Sequence, residues 1–502
     1  MNIEDIVNES AHLIPQVEGP IKVTEKSHPF CAMKYSREPL DLKEFGYIEE
    51  EYFIQGQANV YDEDGEDNIH LYKEGVNYKN RIIIRRPENS KKFSGRVYMD
   101  ILNATQRYDI EDLWHRTYLW CMENGHAYVG ITSKPVNVMS LKNFDYERYK
   151  SLNWSNGESI PFPTVSNSDT IPGTEEGLVW DIISQTGNLI RTRGINNIID
   201  NNTRCDAEHS FDGWETKELY LCGQSQSGSY LNTYISYFDS IISIGSGRIF
   251  DGYMNIVGAF VQRSLRQRNY VGPLKLQLRH MHPCTLPFIC FSSEADLTLF
   301  KMFLDRDDLL DVSIENKNEI GNRCRYYEIS ETPHTDIICP ILTSLDEIKK
   351  TGARLPLLSD NLVNSINDIH TEYYICGLLE KLHKWAMAAQ APEVVTPLVR
   401  ENGHLKKDRF GNTIGGLRTP YVDVPIARYI ASNPDDPEGI CGKMKYFSKE
   451  EAENIYGNKS NYIIKFSMQT EEQVRQGWIS ETDCNKMIEW CKNAADKVFG
   501  VN

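Results

Sequence analysis

LYLCGQSQSGSYLNTY, residues 219–234, runs from an apolar stretch directly into a cluster of glycine and serine. The apolar stretch predicts a buried strand and the residues after the cluster predict a helix. A nucleophilic serine on such a strand-to-helix turn is strained, and the residues two before and two after it must be small. Ser225 satisfies this need with Gly223 and Ser227. Ser227 also has small neighbours, but the glycine would then come two residues too early, so Ser225 is preferred. By itself the motif is equally typical of a structural turn.

The composition excludes several classes of protein. The 502 residues are 40% hydrophobic and 25% charged, with a net charge of −17. This is an ordinary globular balance, and it argues against a general nucleic-acid surface or an anionic membrane as partner. The sequence begins without a secretion signal and contains no run long enough for a transmembrane helix. No metal or cofactor is expected.

The 12 cysteines are scattered, without a CxxC pair. Several of them, such as Cys222 and Cys290, lie in apolar strand-like runs. This pattern indicates buried free thiols and a cytoplasmic location.

The hydrophobic pattern predicts an α/β fold. Strands are expected at 51–61, 81–85, 96–102, 127–132, 218–222, 240–244, 288–292 and 324–329. Helices are expected at 109–124, 178–199 and 229–238. No helix separates the first strands, whereas helices alternate with the later ones. The order predicts an antiparallel start leading into a mostly parallel, helix-covered sheet.

Two long segments lie outside this alternation. Residues 134–173 show little periodicity and are expected to be a structureless loop that forms a cap or lid. Residues 341–502 are expected to be a helical extension, with helices near 362–389 and 448–498, that packs on a 1–340 core as one integrated domain. The acidic run 62–67 lacks the distal glutamate of a calcium loop, so a solvated turn is favoured.

Candidate partners for a nucleophilic serine follow Ser225 in the sequence. Acidic residues come first and a histidine comes second, which is the order found in enzymes that carry the nucleophilic serine on a strand-to-helix turn. Residues 287–296 predict a buried strand ending in a turn with Glu294 and Asp296, and residues 325–334 predict a strand followed by a loop with His334. His280 and His282 precede the acidic turn, which is the wrong side for this order. Asp296 is preferred as the acid because it lies in the turn a few residues past the strand end, but Glu294 stays an alternative.

At this point the sequence resembles the α/β-hydrolase domain family whose members carry a G-x-SQSG elbow. The resemblance extends from about residue 45 to 430. Its motifs are 46–53 with 56–61, Asn103, 125–130, 176–184, 223–228, 333–336 and 408–425. It implies an α/β-hydrolase fold and serine ester chemistry on a small acyl substrate, without indicating which one. It further implies an oxyanion hole formed by the N–H of Gln226 and a donor near Asn103 and Ala104.

Arg418 lies in the glycine- and proline-containing motif 408–425. A structural wrap, with Arg418 paired to a carboxylate, is the favoured interpretation. The alternative is a pocket rim at which Arg418 binds an acidic substrate group. Two rival function classes are also open: an amidase, thioesterase or acyltransferase with the same triad, and a non-catalytic ligand-binding protein with the same fold.

Overall fold

The computed structural model describes residues 2–500 apart from 65–67, 156–170, 196–213, 245–246, 267–276, 279–282, 305–314, 336–338, 354, 356–364 and 437–438. The chain forms two compact units. The first comprises Met1–Pro287, Glu319–Arg323 and Cys339–Pro356, and the second comprises Phe288–Asn318, Cys324–Ile338 and Leu357–Asn502.

The first unit is built on a sheet of seven strands. They are β1 (Gln16–Glu18), β2 (Tyr47–Glu63), β3 (Ile69–Pro87), β4 (Arg96–Ile101), β5 (Ala127–Ile131), β6 (Glu218–Gln224) and β7 (Gly252–Ile256). Their spatial order is β1-β2-β3-β5-β4-β6-β7. The first three pairings in this order are antiparallel, and the next three are parallel. The predicted change from an antiparallel start to a parallel sheet is confirmed.

The first unit also contains eight described helices, several of which pack on this sheet. They are α1 (Ile3–Ala11), α2 (Asp112–Asn124), α3 (Pro135–Phe144), α4 (Tyr146–Tyr149), α5 (Val179–Arg193), α6 (Gln226–Tyr234), α7 (Ser240–Ile244) and α9 (Leu345–Lys350). Every residue of β5 is buried, and so is β6 beyond Glu218. Because successive side chains of a strand point to opposite faces, unbroken burial means that both faces are covered. The predicted α/β class is confirmed.

Shorter elements complete the first unit. Residues Val261–Gln262 (β8) pair antiparallel with Gln277–Leu278 (β9). Four 3₁₀ turns lie at Met33–Tyr35, Leu42–Phe45, Ser90–Lys92 and Glu176–Leu178, and a π turn lies at Ile235–Asp239.

The second unit combines a parallel strand pair with a helical region. Its strands are β10 (Phe288–Ser293), β13 (Arg400–Glu401), β14 (His404–Leu405), β15 (Ala427–Ile430) and β16 (Lys443–Tyr446), together with most of β11 (Lys317–Glu319) and β12 (Asn322–Ile329), whose residues between 319 and 323 belong to the first unit. Its helices are α8 (Asp296–Leu304), α10 (Thr371–Ala388), α11 (Pro420–Asp423), α12 (Lys449–Tyr456), α13 (Lys459–Arg475) and α14 (Glu481–Phe499). β10 and β12 run parallel, with Phe288 opposite Cys324. Helices α12 and α14 each begin with a capping box. Ser448 and Glu451 form the one at α12, and Ser480 and Asp483 form the one at α14. The predicted helical C-terminal region is confirmed.

Two local predictions are wrong. Residues 240–244 form helix α7 rather than a strand, because they continue the helical path of α6 and the π turn Ile235–Asp239 despite their β-branched side chains. The segment 134–173 is not structureless where it is described, since α3 and α4 occupy its first part. Residues Pro135–Leu141 of α3 are all buried, and a helix buried on every side shows no amphipathic period.

Candidate active site

Ser225 occupies the sharp turn between β6 and α6. Its backbone has φ 52° and ψ −116°, a conformation that non-glycine residues rarely adopt. The turn is tightly packed, since a Cβ on Gly223 would lie 2.4 Å from the carbonyl oxygen of Ser227. A Cβ on Gly228 would lie 2.4 Å from Asn255 Oδ1. Glycine at both positions therefore permits the strained turn that presents Ser225.

The three serines of the motif differ in accessibility. Ser225 is partly exposed, whereas Ser227 and Ser229 are buried. Ser229 Oγ donates to the carbonyl oxygen of Gln226 at 2.5 Å. Ser227 Oγ has no hydrogen-bond partner among the described residues. Of the three serines, Ser225 is the one that combines a strained backbone with partial exposure.

The loop after β4 is tied to this turn. Asn103 Nδ2 donates to the carbonyl oxygen of Gln224 at 3.2 Å, and Asn103 Oδ1 accepts from the N–H of Thr105 at 2.8 Å. The backbone N–H of Asn103 donates to Ile110 at 3.1 Å. Within the described chain, no acceptor engages the N–H groups of Ala104 or Gln226. The loop therefore offers Ala104 rather than Asn103 as a backbone donor.

Asp296 and His334 form a direct pair in the second unit. His334 Nδ1 lies 2.6 Å from Asp296 Oδ1, and Ser293 N–H donates to Asp296 Oδ2 at 2.8 Å. The ring of Phe300 packs edge-on against the His334 ring, with centroids 6.0 Å apart. Nδ1 of His334 thus donates to the carboxylate, which leaves Nε2 as the basic nitrogen of the ring. The competing His280 and His282 lie outside the described residues.

Asp296 is fully buried. Burial raises the pKa of Asp296, and the hydrogen bond and charge of His334 offset part of the rise. Asp296 is also the first residue of α8, where the helix dipole favours negative charge. The carboxylate is therefore suited to orienting the ring of His334 and to stabilising its protonated form.

Glu294 has different partners. Its Oε2 accepts from the N–H of Glu331 at 2.8 Å, and its Oε1 lies 3.0 Å from Lys407 Nζ. Both carboxylate oxygens are thus occupied by a turn amide and an ammonium group. This is the arrangement expected of a structural acceptor.

Arg418 is engaged on all sides of its guanidinium group. Nε donates to Asp423 Oδ1 at 2.5 Å, Nη1 donates to the carbonyl oxygen of Thr413 at 2.5 Å, and Nη2 donates to Asp408 Oδ2 at 3.0 Å. These contacts fold the 408–425 segment onto itself. They favour the structural interpretation of Arg418 over substrate binding.

Glu331 and Lys407 are residues that the sequence analysis missed. Glu331 lies three residues before His334, and Lys407 lies one residue before the 408–425 motif. The sequence does show a charged residue close to each of these two motifs, which could have suggested an ion pair. Nothing in the sequence indicated that residues 76 positions apart would meet.

Comparison with known proteins decides the family. Residues 17–489 match the family described as alpha/beta hydrolase domain. The chain belongs to the α/β-hydrolase family. The match includes all the candidate site residues described above.

Solved structures of other hydrolases are similar to this family member at low identity. The serine hydrolase XC6422 from Xanthomonas campestris is 9% identical, covering 55% of this chain and 85% of that one, with a TM-score of 0.25. Esterase Est22 is 11% identical, covering 59% and 75%, with a TM-score of 0.26. Esterase B from Lactobacillus rhamnosis is 9% identical, covering 55% and 75%, with a TM-score of 0.22. Scores at this level carry no argument about the reaction. The search of curated proteins gave no match.

Two features are absent from the described residues. None of their helices has the length and apolar character needed to span a bilayer. They also contain no cluster of three or more His, Cys, Asp or Glu side chains arranged to hold a metal ion.

Proposed function

We propose that this α/β-hydrolase is a serine hydrolase of carboxylic esters, with Ser225 as nucleophile, His334 as general base and Asp296 as the orienting acid. The observation that carries the proposal is the strained, partly exposed Ser225 between β6 and α6. Strain at a single serine persists only when the surrounding structure enforces it, and such enforcement is concentrated at reactive sites.

The reaction proceeds in two steps. Nε2 of His334 takes the proton of Ser225 as Oγ attacks the acyl carbon, and the protonated ring then gives this proton to the departing alcohol. Water, activated by the same nitrogen, releases the acid and regenerates Ser225. Asp296 accepts from Nδ1–H throughout, which fixes the tautomer and stabilises the imidazolium.

The negative charge that develops on the acyl oxygen needs backbone donors. We assign these to the N–H groups of Gln226 and Ala104, because both lack an acceptor within the described structure. Asn103 is then a positioning residue that fixes the Ala104 loop to the carbonyl oxygen of Gln224.

Part of the segment 134–173 adjoins this donor loop. Ala104 shares a buried apolar cluster with Val136, Met139 and Ile171. We propose that the described part of the segment, residues 134–155 and 171–173, belongs to a cap whose apolar side chains shape the space beside the oxyanion hole, which suits the acyl portion of a small-molecule ester.

Hydrolysis of a panel of acyl esters that differ in chain length and aromaticity tests the proposal. Wild-type protein should hydrolyse at least one ester, and Ser225→Ala should not. Matched amides and thioesters separate the rival leaving groups. A wild-type protein as inactive as Ser225→Ala on all of them would favour the ligand-binding alternative.

A further inference from the structure

A polar cluster joins the turn that carries Asp296 to the loop that carries His334. Lys407 Nζ lies 3.0 Å from Glu294 Oε1 and 2.9 Å from Glu331 Oε1. The same atom lies 2.6 Å from Thr413 Oγ1. One ammonium group thus holds two carboxylates, one on each of the segments that carry the proposed acid and base.

Glu331 is anchored through its backbone as well as its side chain. Its φ is 59°, a left-handed conformation that costs free energy for a residue other than glycine. Its N–H donates to Glu294 Oε2 at 2.8 Å, and its carbonyl oxygen accepts from Asn367 Nδ2 at 2.7 Å. Thr413 N–H donates to Glu331 Oε1 at 2.8 Å. These contacts fix the chain direction three residues before His334.

We propose that Glu331 and Lys407 are positioning residues, which hold the His334 loop against the Asp296 turn and so set the orientation of the His334 ring. This inference rests on the proposed function, since it assigns His334 the role of base. Neither side chain contacts Asp296 or His334 in the described structure, so both act through the backbone. A displacement of about 1 Å in a catalytic group costs on the order of 10²-fold in rate.

The charge balance of the cluster makes this positioning sensitive to pH. The titratable groups that face Glu331 are Glu294 and Lys407. Burial and the charge of Glu294 raise the pKa of Glu331 from 4.5 to about 7, and Lys407 lowers it in part. Above this pKa the ionised carboxylate holds Lys407 and the Thr413 amide with charge-assisted hydrogen bonds. Below it the contacts weaken, and the His334 loop loosens.

Four variants test the proposal in the full-length protein. Lys407→Met removes the ammonium group at similar side-chain length, Lys407→Arg keeps the charge, and Glu331→Gln keeps the shape. The control is Lys381→Met, which removes a lysine 2.9 Å from Glu393 Oε1 and 2.8 Å from the carbonyl oxygen of Gln476 in the same unit. The measurements are kcat and KM for an ester, and the far-downfield proton resonance of the His334 Nδ1–H···Asp296 hydrogen bond, assigned by its loss in Asp296→Asn.

Lys407→Met and Glu331→Gln should lower kcat by about 10- to 100-fold, with KM within about twofold of wild type, and should shift or broaden the resonance. Lys407→Arg should restore most of kcat, and Lys381→Met should match wild type. In wild-type protein the resonance should respond to pH through Glu331 as well as through protonation of the His334 ring itself, and Glu331→Gln should remove only the Glu331 contribution. If Lys407→Met does not fold, Glu331→Gln still tests the cluster.

An unchanged resonance and kcat in folded Lys407→Met or Glu331→Gln would overturn the proposal, as would an equal loss in Lys381→Met. The resonance separates this outcome from a failure of the proposed function. If wild-type protein hydrolyses no ester, the resonance in the four variants still decides whether the cluster positions His334.

Discussion

Ser225 and Ser227 provide a matched pair of hydroxyl groups two residues apart. Ser225→Ala should reduce ester hydrolysis by about 10⁴-fold or more, because the nucleophile is removed. Ser227→Ala should stay within about tenfold of wild type, since its buried Oγ has no partner among the described residues to lose. Steady-state kinetics on both variants, with circular dichroism to verify folding, checks this. The reverse result would move the nucleophile to Ser227.

The two acidic residues after β10 provide a second pair. Asp296→Asn should lower kcat by about 10⁴-fold, because an amide no longer holds the required His334 tautomer, and high pH should restore part of the loss. Glu294→Gln should lower the melting temperature and should lower kcat by no more than about 10- to 100-fold, since it weakens the contacts with Lys407 and the N–H of Glu331 that join the two segments. Kinetics over pH together with thermal unfolding separate the two effects. A large kcat loss in Glu294→Gln beside a nearly normal Asp296→Asn would make Glu294 the orienting acid.

At the scale of elements, helix α3 lies in the proposed cap segment, and its Met139, which is 4% exposed, belongs to the same buried apolar cluster as Ala104 of the proposed oxyanion loop. Met139→Ala should destabilise the protein by about 2–5 kcal/mol through the cavity it creates. It should also lower kcat, because the cluster that contains Ala104 loses one of its members. The control is Met122→Ala on α2, since Met122 is 8% exposed and outside that cluster.

Thermal unfolding and kcat per titrated active site distinguish these variants. Met122→Ala should lose stability and keep its kcat. Equal kcat values for the two variants would remove α3 from the proposed cap.

The helices and strands also differ in how well their own sequence predicts them. β5 and β6 are short apolar runs with clear boundaries, and the sequence predicts both. Residues Pro135–Leu141 of α3 are all buried, so their pattern carries no helical period. Residues 240–244 have a β-branched composition, and their helical state depends on the preceding turns rather than on their own propensity.

The residues of the candidate site also differ in how far the sequence predicts their arrangement. The order Ser225, Asp296, His334 is visible in the sequence because each residue follows a strand-like run. The sequence left two interpretations of Arg418 open, pairing with a carboxylate or binding of an acidic substrate group. In the structure Arg418 pairs with Asp408 and Asp423. The contact between Glu331 and Lys407 depends on tertiary structure, which no local pattern encodes.

At the scale of the whole molecule, the thiols offer a test of burial. All 11 cysteines in the described part of the chain are buried thiols, and the twelfth, Cys205, lies outside it. Burial raises the pKa of Cys31, Cys222 and Cys290 well above 9.0, so these groups are poor nucleophiles. Titration of the native protein with a thiol reagent should modify at most one cysteine rapidly, and denatured protein without reductant should react at all 12. Fewer than 12 thiols after denaturation would indicate disulfides.

Covalent labelling at Ser225 tests the central claim most directly. Wild-type protein is treated with a fluorophosphonate, digested and analysed by mass spectrometry to locate the adduct. A serine activated by a paired histidine should react to about one adduct per chain, on the peptide that contains Ser225, and Ser225→Ala should remain unlabelled. An adduct on Ser227 or elsewhere, or no adduct on folded wild-type protein, would contradict the assignment of Ser225 as the nucleophile.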